Sequence, residues 1–566
     1  MHRSTPGGNP SEAGLGLAFA AGSVENASPQ HGVLVVERFT AEECAALEPY
    51  FTNVDRSVFA LINLPEVVKG ALFARYSRSA KSLRRLFLDE FYDQAQKAPG
   101  TASVGSARAE KLYEKVFFEY GDDSVAQLGG VHLACENVSN ILTKVLEWGR
   151  LMAYLEQSTR YVPYTGRVEG RFKYHIPTEL DGTAMRKRYV DVLDDAFGTY
   201  CRWLDPLQEM FMAQYPREEG VSKGVYKRTL RAKALDALRG LLPAATQANV
   251  GIYGTGQAYE ALLLRLRAHP LAEAREVAGE MLVELRRVIP AFLRRVDLPD
   301  RGDRWSRYLA ETRDATAAIA AEMTAGVEPW TVEEVTLTEF DPDGETKVVA
   351  AALYASTRLP DAQLQELAKK LAPEQRASVL KAYVGERANR RHKPGRAFER
   401  TSYRFDILGD YGAFRDLQRH RMLTLEWQPL SPLHGYLMAD SVAEVGAADD
   451  WKRVMQRSAE LYDEIQQSDL PGVGSYAIPM AYRVRFYMDM NAREAMHLIE
   501  LRTAPAGHSS YRRVCQTMHR LIAEQAGHQA IAAAMGYVDH GEIELERLAA
   551  EKAAERRKDL TSRRDL

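Results

Sequence analysis

The sequence predicts an α+β protein built from two homologous units in tandem. A chain of 566 residues exceeds what one ordinary hydrophobic core organises. Long amphipathic helices are indicated by apolar residues that recur at helical spacing, as in Tyr189, Val192, Leu193, Ala196, Tyr200, Trp203 and Leu204. Landmarks of the first half also recur in the same order in the second half, which indicates an internal duplication.

The repeated landmarks are short and ordered. Ala71-Leu72-Phe73-Ala74 is echoed by Ala352-Leu353-Tyr354-Ala355, Trp148 by Arg419, Pro243 by Pro479, and Arg267 by Arg502. The difference in residue number between matched landmarks decreases along the chain, so the second unit lacks residues that the first one has. The stretch 218–229 would account for part of that difference. Because the repeat is too long for a solenoid, we interpret it as two fused homologous domains.

Composition and repeats divide the chain into consecutive segments. A flexible N-terminal extension is expected at the start, because small and polar residues dominate there. A charged helical tail, expected to be solvated, closes the chain. The predicted boundaries are 1–32 for the extension, 33–300 for the first domain, 301–338 for a helical connector, 339–541 for the second domain and 542–566 for the tail.

Charge and cysteine content exclude several classes of protein. The 74 basic and 77 acidic residues give a net charge of −3, so nothing electrostatic favours a nucleic-acid partner. Four cysteines without a C-x-x-C spacing indicate neither zinc nor a disulfide framework, and they fit a reducing cytoplasm. No apolar run reaches the roughly 18 residues of a membrane span, and no signal peptide is evident. We expect a cytoplasmic protein without membrane contact.

Polar side chains that could bind a ligand stand at alternate positions of the stretch Leu155-Glu156-Gln157-Ser158-Thr159-Arg160-Tyr161. In an extended chain, Glu156, Ser158 and Arg160 would lie on one face. A carboxylate, a hydroxyl and a guanidinium together suit a small polar ligand that carries a phosphate. A solvated charged face is the ordinary alternative. A nucleophilic role for Ser158 is not favoured, because no His or Asp lies nearby in sequence to activate it.

A second stretch, Arg419-His420-Arg421, places three cationic or potentially cationic groups in a row. This pattern suits a polyphosphate or pyrophosphate, and a solvated basic turn is the alternative. Further on, Asn491 and Glu494 fit an N-cap and a near capping box, which needs no ligand. Arg502 falls on the apolar face of the same helix, where an unpaired charge is costly. Either an anionic ligand or snorkelling of its stem would satisfy it.

Together the two stretches resemble the signature of the flavin-dependent thymidylate synthases, which run Arg-His-Arg, a spacer and Glu-x-Ser-x-Arg-Tyr in one motif. The upstream copy keeps Glu156, Ser158, Arg160 and Tyr161 but reads Trp148-Gly149-Arg150 at the Arg-His-Arg position. The downstream copy keeps Arg-His-Arg, while its Glu, Ser, Arg and Tyr positions read Trp427, Pro429, Ser431 and Pro432. The losses are complementary.

The resemblance covers residues 58–295 and 348–526 and implies an α+β fold in which a mainly antiparallel sheet is flanked by long helices. It implies the reductive methylation of dUMP to dTMP, with FAD as cofactor. Methylenetetrahydrofolate and NADPH would be the co-substrates. Because each half keeps what the other lost, the working site is expected to be composite. Two units per chain would then make a homodimer that mimics a tetramer of single-unit enzymes.

The resemblance also implies residue roles. Arg502 would be catalytic, since it occupies the position of the family's nucleotide-activating arginine. The substrate would be bound by Glu156, Ser158, Arg160, Tyr161, Arg239 and Arg419. FAD would be bound by Arg419, His420, Arg421, Asn491, Arg493 and His497. No metal is expected, because the spacing of His497, His508 and His519 matches no ligand pattern.

Three departures from the family pattern support an alternative. Asp416 stands where the family has a nucleotide-binding Gln, and Asp122 stands where a flavin-contacting His is expected in the turn 121–124. Trp148-Gly149 replaces two residues of the Arg-His-Arg motif in the first unit, so one of the two cationic clusters is missing. Separately, Arg267 is expected to be structural, because its helix lacks the Asn-x-Arg start. The alternative is an inactive paralogue that binds nucleotide or flavin as a regulator or scaffold. A purely structural helical protein would leave the complementary losses unexplained.

Overall fold

A computed structural model describes residues 37–77, 79–92, 127–542, 545 and 547–562. The predicted extension 1–32 and the turn 121–124 lie outside the described residues. The described residues divide into two compact units, one within residues 37–63 and the other from residue 64 onwards. In the first of these, helix α1 (Ala41–Leu47) begins after Thr40, which forms a capping box with Glu43.

The first half of the larger unit contains an antiparallel three-stranded sheet in the order β1 (Gly130–Ser139), β5 (Gln247–Thr255), β2 (Met152–Glu156), and a separate hairpin of β3 (Arg167–Val168) and β4 (Arg171–Phe172). Helix α5 (Met185–Gln214) confirms the predicted periodicity, because its apolar positions from Tyr189 to Leu204 are largely buried. The elements, in chain order, are α2 (Glu66–Tyr76), α3 (Leu83–Glu90), β1 (Gly130–Ser139), α4 (Asn140–Leu146), β2 (Met152–Glu156), β3 (Arg167–Val168), β4 (Arg171–Phe172), α5 (Met185–Gln214), α6 (Lys223–Leu238), β5 (Gln247–Thr255), α7 (Gly256–Arg267) and α8 (Ala272–Arg286).

The second half contains an antiparallel four-stranded sheet with strand order β6-β7-β9-β8. Helix α9 (Gly302–Met323) precedes it. The further elements are β6 (Val335–Phe340), α10 (Gly344–Tyr354), α11 (Asp361–Lys370), α12 (Pro373–Val384), β7 (Ser402–Asp410), α13 (Tyr411–Leu417), β8 (Thr424–Trp427), α14 (Asp440–Glu444), α15 (Ala448–Gln466), β9 (Arg483–Asn491), α16 (Ala492–Arg502), α17 (Ser509–Glu524), α18 (Gln529–Ala534) and α19 (Leu548–Ser562). The fold is α+β, as the sequence predicts.

The two halves repeat one arrangement of strands and helices. In each, a strand runs directly into a short helix through a capping side chain, Ser139 for α4 and Asp410 for α13. Counted from these caps, Trp148 and Arg419 occupy equivalent positions. A second pair of strands enters α7 and α16 through the caps Thr255 and Asn491. Counted from these, the equivalent of Arg502 is Leu266, so the pairing of Arg267 with Arg502 is wrong by one residue.

The halves are joined by backbone pairing between residues 240–245 and 476–481. Ala244 N donates to Ile478 O (2.8 Å) and Met480 N donates to Leu242 O (2.9 Å), on either side of an antiparallel bridge between Pro243 and Pro479. One hydrophobic cluster of buried residues continues through both halves. This junction fixes the turn that carries Arg239 against the second half.

Two predicted boundary segments differ from expectation. The connector is helical over α9, but Val335 already begins a strand that pairs with β7. The tail was expected to be a solvated helix; its helix is half-buried to exposed, and it also contacts the first half. Helix α19 contacts α6 through an ion pair between Arg228 and Glu551 (2.8 Å), and Arg547 just before it is only 4% exposed. Within the described residues, no helix combines the length and the apolar character needed to cross a membrane.

Candidate functional site

A small cavity lies where the two halves meet, and both halves line it. The first half contributes the end of β2, the segment after it and the turn that follows α6, while the second half contributes α13 and the residues that follow it. The lining residues are Glu156, Gln157, Ser158, Thr159, Arg160, Arg239, Gly412, Arg415, Asp416 and Arg419. Its free volume is about 10 Å³, close to the space of a single water molecule. The structure thus brings together predicted residues from both halves.

Glu156 is the last residue of β2 and is held between two cations. Its Oε1 accepts a hydrogen bond from Arg415 Nη2 (2.7 Å), and its Oε2 accepts one from Lys144 Nζ (3.2 Å). Burial alone would raise the pKa of Glu156, but the charges of Arg415 and Lys144 outweigh it and hold that pKa well below its usual range. Glu156 is therefore a buried counter-ion that ties the two halves together.

The extended face predicted for this stretch ends where β2 ends, at Glu156. Ser158 and Arg160 follow in a turn, yet both still line the cavity. Ser158 Oγ accepts a hydrogen bond from the backbone N–H of Arg160 (3.2 Å). Tyr161 points away from this group of lining residues; its side chain is exposed, and the Arg547 guanidinium carbon stands 4.0 Å over its ring centroid. Tyr161 therefore does not join the other predicted nucleotide residues.

Arg160 stands in the cavity wall, but its donors already have partners. Its Nε and Nη2 donate to the carboxylate of Asp236 (2.8 and 2.7 Å), and its Nη1 donates to Tyr511 Oη (2.8 Å). Burial by itself would lower the pKa of Arg160, whereas the charge of Asp236 raises it, so the guanidinium stays protonated. The fork predicted to grip a phosphate is closed on a carboxylate of the protein itself.

Asp416 is the point on which several cations converge. Its Oδ1 accepts hydrogen bonds from Arg419 Nη2 (2.6 Å) and Arg502 Nη1 (3.4 Å), and its Oδ2 lies 3.7 Å from Arg239 Nη1. Burial would raise the pKa of Asp416, but the charges of Arg419, Arg502 and Arg239 hold it far below its usual range. An ionised carboxylate thus sits at the side of the cavity where the arginines of both halves meet.

The cavity remains electropositive in spite of these carboxylates. Four arginines and two carboxylates line it, which leaves two positive charges. Arg239 Nη2 and Arg415 Nε are buried and have no hydrogen-bond partner among the described residues. A buried donor without a partner costs about 1–3 kcal/mol. Two such donors at one cationic cavity fit an anionic group, which would supply the missing acceptors.

A hydrogen bond from Arg502 determines which ring nitrogen of His420 carries the proton. Arg502 Nε donates to His420 Nε2 (3.0 Å), and a guanidinium cannot give up its proton, so Nε2 must be the acceptor. The ring proton therefore lies on Nδ1, which donates to Glu494 Oε1 (3.1 Å). Burial lowers the pKa of His420 to about 4, so the ring is neutral. Of the three groups predicted to be cationic, only Arg419 and Arg421 carry charge.

The possible ligand atoms of His420, Glu494 and His497 lie within 4.8 Å of one another, as they would around a metal ion. A metal on His420 Nδ1 would move the ring proton to Nε2. That proton would then face the N–H of Arg502, which would place two donors against each other. The donor set of these three residues therefore does not fit a metal while Arg502 holds its present position.

Of the remaining residues predicted to bind flavin, His497 packs against His420, with ring centroids 5.2 Å apart. Arg493 and His497 are one turn apart on α16 and keep 38% and 33% of their side chains exposed. Arg421 is exposed and donates to the backbone oxygen of Met152. Asn491 accepts a hydrogen bond from Glu494 N (2.9 Å) through its side chain, as the N-cap interpretation predicts.

Comparison with known proteins finds the same duplication. The family described as thymidylate synthase complementing protein matches the chain twice, at residues 71–291 and 336–527. The chain belongs to this family. A UPF0159 protein of Chlamydia pneumoniae is 37% identical over 527 residues, which cover 92% of this chain and 98% of the relative. A UPF0159 protein of Thermoplasma acidophilum is 29% identical over 510 residues, or 85% and 97% of the two chains. A flavin-dependent thymidylate synthase of Clostridium tetani matches 178 residues at 26% identity, which is 31% of this chain and 66% of that enzyme.

Within this thymidylate synthase complementing family member, several site residues were not anticipated from the sequence. Arg415 lies one helical turn before Arg419, and that spacing alone could have pointed to it. Asp236 lies one turn before Arg239 and could have been found in the same way. Lys144 and Tyr511 carry no such signal, because only the fold brings them to Glu156 and Arg160.

Proposed function

We propose that this chain is a flavin-dependent thymidylate synthase with one composite site, which methylates dUMP reductively to dTMP. Methylenetetrahydrofolate would supply the carbon, and NADPH would reduce the FAD. The observation that carries the proposal is the cavity in which Glu156, Ser158 and Arg239 of the first half meet Arg415 and Arg419 of the second. Membership of the family supports the proposed function. A composite site is favoured because neither half keeps the whole motif.

The nucleotide phosphate would bind at the unpaired donors of the cavity. Arg239 Nη2 and Arg415 Nε would become its hydrogen-bond donors. The hydroxyl of Ser158 accepts one hydrogen bond and keeps its own proton available for donation. A free volume of about 10 Å³ means that the walls must separate before a nucleotide enters. Loosening the contacts of Arg419 and Arg502 with Asp416 would open the cavity.

Arg502 would stabilise the uracil ring as its proton ionises. Its Nε is engaged by His420 and its Nη1 by Asp416, while Nη2 makes no hydrogen bond to any described residue. A cation held in a preset direction stabilises a developing negative charge without reorganising. His420 and Glu494 would be positioning residues, because the chain of hydrogen bonds through them fixes the Nε side of Arg502.

FAD would be held by Arg419, His420, Arg421, Arg493 and His497, with the side-chain amide of Asn491 beside them. The fit rests on exposure and donor chemistry. Arg493 and His497 present partly exposed polar groups on one helix, and the ring centroid of His497 is 5.2 Å from that of His420. When bound, the flavin would supply the hydride that completes the methyl group. The protein would contribute orientation and charge.

The assembly proposed for the chain is a homodimer. Two homologous units per chain already share one core, and closed two-fold symmetry is the simplest way to pair two such chains. The dimer would mimic a tetramer of single-unit enzymes.

The function is tested by assaying purified protein for flavin absorbance and for conversion of dUMP to dTMP. The assay contains methylenetetrahydrofolate and NADPH and compares wild type with Arg239→Ala and Arg415→Ala. Arg228→Ala is the control, because Arg228 is an exposed arginine of the first half that lies outside the cavity. We expect turnover in wild type and in the control, and none in the two cavity variants. Protein that binds neither flavin nor dUMP would contradict the proposal.

A second candidate function, an inactive paralogue that binds nucleotide or flavin, is favoured by one observation. The guanidinium of Arg160 is saturated by Asp236 and Tyr511. Yellow protein whose flavin spectrum responds to dUMP, but which forms no dTMP under any co-substrate condition, would identify this alternative. Turnover above the protein-free background excludes it.

A further inference from the structure

The carboxylate of Asp416 occupies the position where an anionic ligand would find its donors. Arg419 Nη2, Arg502 Nη1 and Arg239 Nη1 lie 2.6, 3.4 and 3.7 Å from its oxygens. The side chain is buried, so water screens these contacts poorly. Asp416 therefore acts as a fixed internal anion that shares its cations with whatever enters the cavity.

The charges around the cavity leave a definite excess. Four lining arginines against Glu156 and Asp416 give two positive charges. In the next layer, Asp236 on Arg160 is offset by Arg502 on Asp416, and Lys144 is offset by Glu147. Arg547, 3.7 Å from Asp236, adds one further positive charge behind the lining residues, so this layer brings no negative excess. A phosphate monoester carries close to two negative charges above its second pKa of about 6. A diphosphate or triphosphate would bring uncompensated negative charge beside a buried carboxylate.

We propose that Asp416 is a specificity-determining residue, which restricts the anionic ligand of this cavity to a phosphate monoester and disfavours diphosphates and triphosphates. The inference rests on the proposed nucleotide site and deepens it. Replacing Asp416 by an uncharged residue raises the excess to three positive charges. Affinity should then rise for every anion, and most for those with the highest charge.

The test measures the binding of deoxyuridine, dUMP and dUTP by calorimetry to wild type and Asp416→Asn. In wild type, dUMP should bind at least about tenfold more tightly than dUTP, since like charges in a buried site repel strongly. In Asp416→Asn, dUTP should gain about tenfold relative to dUMP, and deoxyuridine should stay within about twofold of its wild-type affinity. Asp449→Asn, an exposed carboxylate of the same half, is the control and should leave all three affinities unchanged.

Inorganic phosphate and pyrophosphate separate this inference from the nucleotide function. A larger gain for pyrophosphate than for phosphate in Asp416→Asn supports charge selection even if no nucleoside binds. Absence of dUMP binding in wild type and both variants would instead count against the proposed function. Asp416→Gln repeats the series with a longer uncharged amide, and thermal unfolding identifies a variant that fails to fold. Equal affinity of wild type for dUMP and dUTP, or an unchanged ratio in the variants, overturns the inference.

Discussion

Replacing Glu156 by Gln removes the charge that holds Arg415 and Lys144 at the junction of the two halves. The side chains of Glu156 and Lys144 are each 1% exposed and that of Arg415 is 4% exposed, so neither cation can reach water without local opening. Removing one partner of a buried ion pair costs about 3–5 kcal/mol, because the remaining charge stays buried and unpaired. We expect Glu156→Gln to lower the free energy of unfolding by that amount at pH 7.

The assay is equilibrium urea unfolding followed by circular dichroism, with Glu551→Gln as control. Glu551 pairs with Arg228 at the surface, where an ion pair contributes about 0–1 kcal/mol. The double variant Glu156→Leu/Arg415→Met should recover much of the loss, since two apolar groups leave less charge uncompensated. A loss in Glu156→Gln no larger than in Glu551→Gln would refute the reasoning.

The depressed pKa of Glu156 predicts that the free energy of unfolding depends on pH. The folded-state pKa of Glu156 is depressed, so its contribution to stability is present above the unfolded pKa of about 4.3 and is lost as the pH falls towards the folded value. Wild type should therefore lose stability below about pH 4 more steeply than Glu156→Gln. Parallel pH profiles of the two proteins would show that Glu156 carries no such depressed pKa.

Three further outcomes follow from the site. Arg419→Ala/Arg421→Ala should strip FAD from the protein, because charge-assisted contacts contribute about 1.5–3 kcal/mol each; flavin content equal to wild type would count against these residues. Arg502→Ala should abolish dUMP-dependent oxidation of reduced flavin while bound FAD is retained, and residual oxidation at the wild-type rate would remove Arg502 from the chemistry. Light scattering should report a homodimer, whereas a flavin-binding monomer would exclude that assembly.

The sequence predicted the duplication well because ordered motifs survive low overall identity. Caps such as Ser139 and Asn491 recur at strand ends, and the fold places Trp148 and Arg419 at equivalent positions. The one-residue error at Arg267 arose because an arginine ended both helices, and residue type was matched where the distance from the cap decides. Arg267 instead forms an ion pair with Asp303.

Much of the lining of the candidate site could be predicted from the sequence, including Glu156 and Ser158. Arg160, Arg239 and Arg419 could be assigned from motifs, since each lies within a recognisable local pattern. The ion pairs that these arginines make could not be predicted, because only the fold brings Asp236 to Arg160 and Asp416 to Arg239 and Arg502. Likewise, the neutral state of His420 follows from its burial and from a hydrogen bond that Arg502 donates from α16, and neither can be read from the sequence.

The most direct test of the composite site is a calorimetric titration of the full chain with dUMP. If one site is built from both halves, the stoichiometry is one dUMP per chain. Arg239→Ala in the first half and Arg419→Ala in the second should then each abolish the same binding event. Two equivalent sites per chain, or binding that survives either substitution unchanged, would contradict a site shared between the halves.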